Sequence, residues 1–133
     1  MNITHFVENL NRGGLERMVL ELVKIQHRQG HRCQVVCLYE EGTLAHELAA
    51  LQIPVHACGK RQGLDLRALA RARRRISEHA TDVLHTYNAV AHYQAVLATC
   101  GRGVWRSINT RHGMGGNRRA ARREWFYRRA LVR

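Results

Sequence analysis

Short β-rich runs alternate with longer stretches of helical period along almost the whole chain, and this alternation constrains the fold more than any single motif. Ile3 to Val7 (ITHFV), Cys33 to Tyr39 (CQVVCLY), the short run IPVHA, Asp82 to Thr86 (DVLHT) and Val104 to Thr110 (VWRSINT) read as strands. Between them apolar residues recur at helical spacing: Leu15, Met18, Val19, Leu22 and Val23, then Leu44, Leu48 and Leu51, then Leu66, Leu69, Ala70 and Ile76, then the alanine-rich stretch Ala89 to Cys100. Such an order predicts an α/β domain with a mostly parallel sheet. Gly30 fits the stop of the first helix, Thr43 the N-cap of the second and Asp65 the N-cap of the third. Pro54 donates no ladder hydrogen bond, which places the IPVHA strand at the sheet periphery.

The 133 residues suffice for one domain with a real core, and the composition of 45% hydrophobic residues with a single proline excludes disorder and collagen-like structure. No run reaches the length of a membrane span, and the N-terminus MNITHFVENLN lacks the layout of a signal peptide, so a cytoplasmic location is expected. Cys33, Cys37, Cys58 and Cys100 form no CxxC pair, and three of them lie in apolar runs, so reduced, buried thiols are expected.

A net charge of +12, arising almost wholly from arginine, calls for an anionic partner. Nucleic acid, an anionic membrane surface, a phosphorylated substrate or an acidic remainder of the same protein would each satisfy it. The segment Arg118 to Arg133 reads as an arginine-studded helix, with Trp125, Phe126 and Tyr127 consecutive rather than spaced as a stacking platform. It is either a solvated basic face or a nucleic-acid face. Because this helix leads to no further strand, the chain is expected to be a fragment of a larger fold.

In a parallel α/β sheet, ligands bind outside the carboxyl ends of the strands. The stretches there are ENLNRGG, YEEGT, YNAVAH and RHGMGGN. Gly13 and Gly14 stand where a helix begins, and would offer an oxyanion free N–H donors, the positive end of the helix dipole and no Cβ in the way. The alternative is that they only let a tight turn form before the helix. Neither GxGxxG nor GxxxxGK[ST] occurs, which counts against a dehydrogenase or a nucleoside triphosphatase and leaves Glu40 and Glu41 as loop carboxylates.

His112 follows a strand end and precedes Gly113, so it stands at the ligand-facing rim. His85 lies among apolar residues as a core or lining histidine. No histidine spacing makes a metal site, and no serine or cysteine has the setting of a nucleophile.

The order and spacing of NRGGLERMVLELV, QGHRCQVVCL, GTLAHELAALQIPVH, LDLRALARARRRISEHATDVLHTYN and NTRHG resemble the N-terminal domain of the retaining GT-B glycosyltransferases of the group 1, or family four, type. Within that family the chain is most similar to bacterial enzymes that build surface polysaccharides or glycolipids. The resemblance implies a Rossmann-like three-layer domain, the acceptor-side half of a GT-B fold, covering residues 1–133 and incomplete at its end. It implies transfer of a sugar from a nucleotide-sugar donor to a glycan or lipid-linked acceptor, with no cofactor. Gly13 and Gly14 would then lie under the donor diphosphate and His112 beside the transferred sugar, while Glu16, Arg17, Tyr87 and Asn88 would contact acceptor or order loops.

The family's C-terminal domain, with its phosphate-clamping basic residues and E-x7-E carboxylates, is absent from this sequence. The chain alone is therefore expected to show little or no transfer. The arginine-rich helices fit docking at the inner face of an anionic membrane. The alternative reading is a non-catalytic, basic anion-binding or nucleic-acid-binding module on the same scaffold, nucleic acid being the less favoured partner.

Overall fold

A computed structural model describes residues 1–11, 13–99 and 106–110. Among them, β1 (Asn2–Val7), β2 (Arg32–Cys37), β3 (Val55–Ala57), β4 (Val83–Tyr87) and β5 (Arg106–Thr110) form one sheet in the order β3-β2-β1-β4-β5. Every neighbouring pair is parallel, with His5 facing Val35 of β2 on one side and His85 of β4 on the other. The connecting helices are α1 (Gly14–Arg28), α2 (Ala45–Ala49), α3 (Leu66–Glu78) and α4 (Asn88–Thr99). The expected Rossmann-like three-layer architecture is what these residues adopt.

Side chains alternate across each strand, so the sheet supports two cores. Ile3, Val7, Val35 and Cys37 pack with Val19, Leu20 and Val23 of α1 and Leu48 of α2. On the opposite face Phe6, Val36 and Leu84 meet Ala68, Leu69, Ala72 and Ile76 of α3 and Ala91 and Ala95 of α4. Helices thus change faces between β1 and β4. Here the strand order reverses direction from the first strand, the topological switch point at which ligands of such sheets bind.

The local signals mostly hold. Asp65 Oδ1 accepts from the Ala68 N–H at 3.1 Å and caps α3. Gly30, with φ of 91°, follows the end of α1. Pro54 precedes the edge strand β3, and its carbonyl accepts from the Val35 N–H at 3.0 Å. Cys33, Cys37 and Cys58 are free and buried, and burial raises their thiols to about 11, 12 and 11 respectively.

Three expectations are corrected. Thr43 does not cap α2; Leu44 holds that position without a side-chain cap, and the Thr43 carbonyl instead meets His46 Nδ1 at 2.6 Å. The inward face of α1 is rotated, so that Leu20 is buried while Met18 is 40% exposed. Leu66 and Ala70 of α3 face outward because Ala68, Leu69, Ala72 and Ile76 already fill its contact with the sheet. His112, Cys100, the RHGMGGN loop and the expected helix over 118–133 lie outside the described residues. Among the described residues no helix is long and apolar enough to cross a membrane.

Candidate functional site at the carboxyl edge of the sheet

The parallel ladder between β1 and β2 continues past the strands and knits their following loops together. Leu38 N–H donates to the Val7 carbonyl at 2.8 Å, Tyr39 N–H to Glu8 at 3.0 Å and Leu10 N–H to Glu41 at 2.9 Å, while Leu44 N–H returns to Leu10 at 2.9 Å. Asn11 adds side-chain stitches: its Nδ2 donates to Glu40 Oε1 at 3.1 Å and its Oδ1 accepts from Thr43 N–H at 3.3 Å. At Gly42, where φ is 86°, an added Cβ would stand 2.5 Å from Asn11 N and 2.8 Å from Leu10 O. Only glycine allows the two loops to approach this closely.

This knot fixes the approach to α1. Gly13 is its N-cap, in extended geometry with no side-chain cap, and Gly14 is its first helical residue; both are exposed. The first-turn N–H groups therefore meet no N-cap side chain. Glu16 folds back so that its carboxylate occupies the space a Cβ on Gly13 would enter. A negative group thus already stands at the positive end of the helix.

Gly13, Arg17, Thr43, His46 and Glu47 line an open groove of about 520 Å³ between α1 and α2. Arg17 is engaged in holding that groove together, its guanidinium lying 2.7 Å from Glu47 Oε2 and 3.5 Å from Glu21. Lys24 meets the other Glu47 oxygen at 2.9 Å. The hydrogen bonds from Lys24 and then Arg17 lower the Glu47 carboxyl.

Across the switch point, β4 enters α4 without a loop. Asn88 takes a left-handed φ of 63°, a conformation Asn tolerates better than most residues. Its junction is clamped by Asn109, whose Nδ2 donates to Thr86 Oγ1 at 2.8 Å, to the Asn88 carbonyl at 3.2 Å and to the Thr86 carbonyl at 3.3 Å. Thr86 Oγ1 is also 2.8 Å from His92 Nδ1.

Tyr87 is not at the surface: it is 1% exposed, and its hydroxyl lies between two buried histidines. His5 Nε2 is 2.7 Å from Gln26 Oε1, which can only accept, so Nε2 carries the proton and Nδ1 accepts the Tyr87 hydroxyl at 2.8 Å. The longer contact of 3.4 Å to His85 Nδ1 and the 2.7 Å contact from His85 Nε2 to Thr110 Oγ1 extend the chain of groups from α1 through β1 and β4 to the end of β5.

Burial lowers His5 from 6.5 to about 4 despite the opposing hydrogen bond from Gln26, with His85 adding a smaller push downward; burial alone lowers His85 to about 4. Tyr87 is raised, chiefly by burial. Both imidazoles are neutral at pH 7, and the network acts as a polar brace rather than a charged site.

The structure thus gathers Gly13, Gly14, Glu16 and Arg17 at the start of α1 and Tyr87 and Asn88 across the switch point, while His112 lies outside the described residues. Sequence reasoning missed His5, Gln26, Thr110, Asn109, Asn11 and Gly42. For His5 the available signal was the period of two that puts residues 3, 5 and 7 of β1 on one face; the others depend on contacts between distant parts of the chain.

Comparison with known proteins follows the same outline. No match was found among curated proteins. The crystal structure of a glycosyltransferase from Rickettsia africae ESF-5 superposes with a TM-score of 0.70 at 22% identity, over 92% of this chain and 32% of that one. The chain therefore spans about a third of the length of that solved structure, and the likeness supports the fold. The family model for Glycosyltransferase Family 4 matches residues 12–133. On that match, the chain belongs to Glycosyltransferase Family 4.

Proposed function

We propose that this chain is the N-terminal, acceptor-side half of a retaining GT-B glycosyltransferase that moves a sugar from a nucleotide-sugar donor to a glycan or lipid-linked acceptor, with its site on the cytoplasmic side. The observation that carries the reading is the glycine-started helix α1 at the carboxyl edge of the sheet, beside the switch point, in a chain of this family.

As a glycosidic bond to a diphosphate breaks, negative charge grows on the leaving group. Oriented N–H groups and the positive end of a helix dipole stabilise that charge without a covalent nucleophile. In this reading the diphosphate approaches Gly13 and Gly14, and the Glu16 carboxylate swings aside to admit it. The donor's nucleotide is held mainly by the C-terminal domain of the full-length enzyme. His112 orients the transferred sugar through a hydroxyl, and Asn88 offers its carboxamide on the other side of the switch point. The Asn109 clamp and the Tyr87 brace hold the backbone from which Asn88 projects.

The test is to incubate the full-length protein with a panel of nucleotide sugars and candidate acceptors and to follow nucleotide release and glycoside formation, with the product anomer read by NMR. Acceptor-dependent transfer with retained configuration is expected. Release of nucleotide with inverted product, or no transfer with any donor, would reject the proposal.

A further inference from the structure

The outer face of α3 and the loop before it carry a pattern the donor-side reading does not use. Leu64 and Leu66, at 70% and 69%, are the most exposed large apolar side chains among the described residues. They flank Asp65, whose extended backbone (φ −121°, ψ 95°) projects both leucines to the same side while its own carboxylate turns in to cap the helix. The segment is tied down: Lys60 Nζ donates to the carbonyls of Gly63 at 2.6 Å and Arg61 at 2.9 Å, Arg61 N–H to Asp65 Oδ2 at 3.0 Å, and Arg71 to the Cys58 carbonyl at 2.5 Å. The two leucines are thus held in the open by a braced loop.

Cations surround them. Arg61, Arg67, Arg71, Arg73 and Arg74 are all exposed, and the helical stripe from Leu66 runs through Ala70 to Arg73. The nearby acids are already engaged, Asp65 in the cap and Glu78 with Arg74 at 2.8 Å and Arg75 at 3.8 Å. Among the described residues no salt bridge forms on Arg67 or Arg73, and the Arg61 charge is felt by Asp65, which is already held in the cap. An apolar tip set among exposed cations that outnumber the acids beside them is complementary to one surface above others: phosphate headgroups over an apolar interior. Single-stranded nucleic acid would favour aromatic platforms, and the segment 60–75 contains none.

We propose that the loop from Cys58 to Asp65 and the first turns of α3 form a docking face for an anionic lipid bilayer. Leu64 and Leu66 enter the headgroup boundary while Arg61, Arg67 and Arg73 lie along the lipid phosphates. The loop follows β3, so it projects from the same carboxyl edge of the sheet as Gly13 and Asn88. Docking there keeps the candidate site close to the membrane surface, where a lipid-linked acceptor would present its sugar. The docking itself does not rest on the proposed transfer and can be measured with no donor present.

The experiment is co-sedimentation of the full-length protein with phosphatidylcholine vesicles, with and without phosphatidylglycerol, at low and at about 0.5 M salt. Wild type should bind the anionic vesicles at low salt, bind neutral vesicles poorly and weaken as salt rises. The Leu64→Ser/Leu66→Ser variant should lose at least about tenfold in affinity, because two buried leucines are removed from the contact. Arg61→Gln/Arg67→Gln/Arg73→Gln should lose a similar amount together with most of its salt dependence. Ile25→Ser, altering an exposed apolar residue on α1, should bind as wild type; circular dichroism checks the fold of every variant.

Unchanged vesicle binding by both multiple variants, or equal binding to neutral and anionic vesicles, would overturn the proposal. So would tight binding of an RNA oligonucleotide that is lost in the arginine variant while vesicles are ignored, since the face would then serve nucleic acid.

Discussion

Nδ1 of His5 and the hydroxyl of Tyr87 meet at 2.8 Å inside the sheet, joining β1 to β4 at the point where the helices change faces. Because His5 Nε2 already gives its proton to Gln26, the hydroxyl of Tyr87 is the donor of this pair. Tyr87→Phe removes that donor and leaves the His5 acceptor buried without a partner. A loss of about 1–3 kcal/mol is expected from chemical denaturation of the purified protein. A loss near zero would mean that water or a rearranged side chain replaces the hydroxyl.

The same brace sets a pH dependence. His5 and His85 have pKa values lowered from 6.5 to about 4 in the fold, so the unfolded chain binds more protons between those limits. Their neutral-state stability is fully present above pH 6.5 and is lost as pH falls toward 4. His56, His79 and His92, each lowered mainly by burial, act in the same direction. Unfolding midpoints measured from pH 8 to 4 should fall over this window, and NMR should show both brace imidazoles neutral at pH 6. A midpoint that rises on acidification would contradict the burial of these groups.

Gly42→Ala tests the knot between the loops after β1 and β2. The added methyl meets the backbone of Leu10 and Asn11 at a left-handed φ, so a cost of about 2 kcal/mol or more is expected. Gly30→Ala shares the positive φ but finds nothing within 4 Å, and should cost about 1 kcal/mol. Equal costs at the two positions would mean that conformation alone, and not the loop approach, requires glycine at 42.

Cys33, Cys37 and Cys58 should resist thiol reagents in the native protein. With thiols raised to about 11 or 12 by burial, their thiolate fraction at pH 8 is of order one in a thousand or less. Timed alkylation with mass spectrometry should find these three labelled only after unfolding. Rapid native labelling at any of them would show it to be more open than its burial indicates.

The class of the fold and the alternation of strands with helices along the chain were legible because strand and helix runs differ in period, while the spatial order of the strands comes only from the ladder pairings. The cap at Asp65 was legible because capping is local chemistry within three residues. What the periodicity could not fix was the rotation of each helix. Leu20 replaces Met18 in the core, and Leu66 turns outward, because the exact face depends on how the helix lies over the sheet.

The candidate site divides along the same line. Gly13 and Gly14 could be found from sequence because a helix start is a local signal. The partnership of His5 with His85 and Tyr87, and of Gly42 with Leu10, comes from strand register and loop approach across distant parts of the chain. Nothing within the strand ITHFV sets His5 apart, and its role follows from the β4 residues laid beside it.

The most direct test of the proposed function is Gly13→Val in the full-length protein, measured as sugar transfer from the nucleotide-sugar donor alongside thermal unfolding. Gly13 has extended φ and ψ, and the group nearest an added side chain is the flexible Glu16 carboxylate, so folding should be nearly unaffected. If the donor diphosphate approaches this helix start, kcat/KM falls by at least about tenfold, a loss of transition-state stabilisation, with the unfolding temperature close to wild type. Unchanged transfer in the folded variant would contradict the placement of the diphosphate at Gly13 and Gly14.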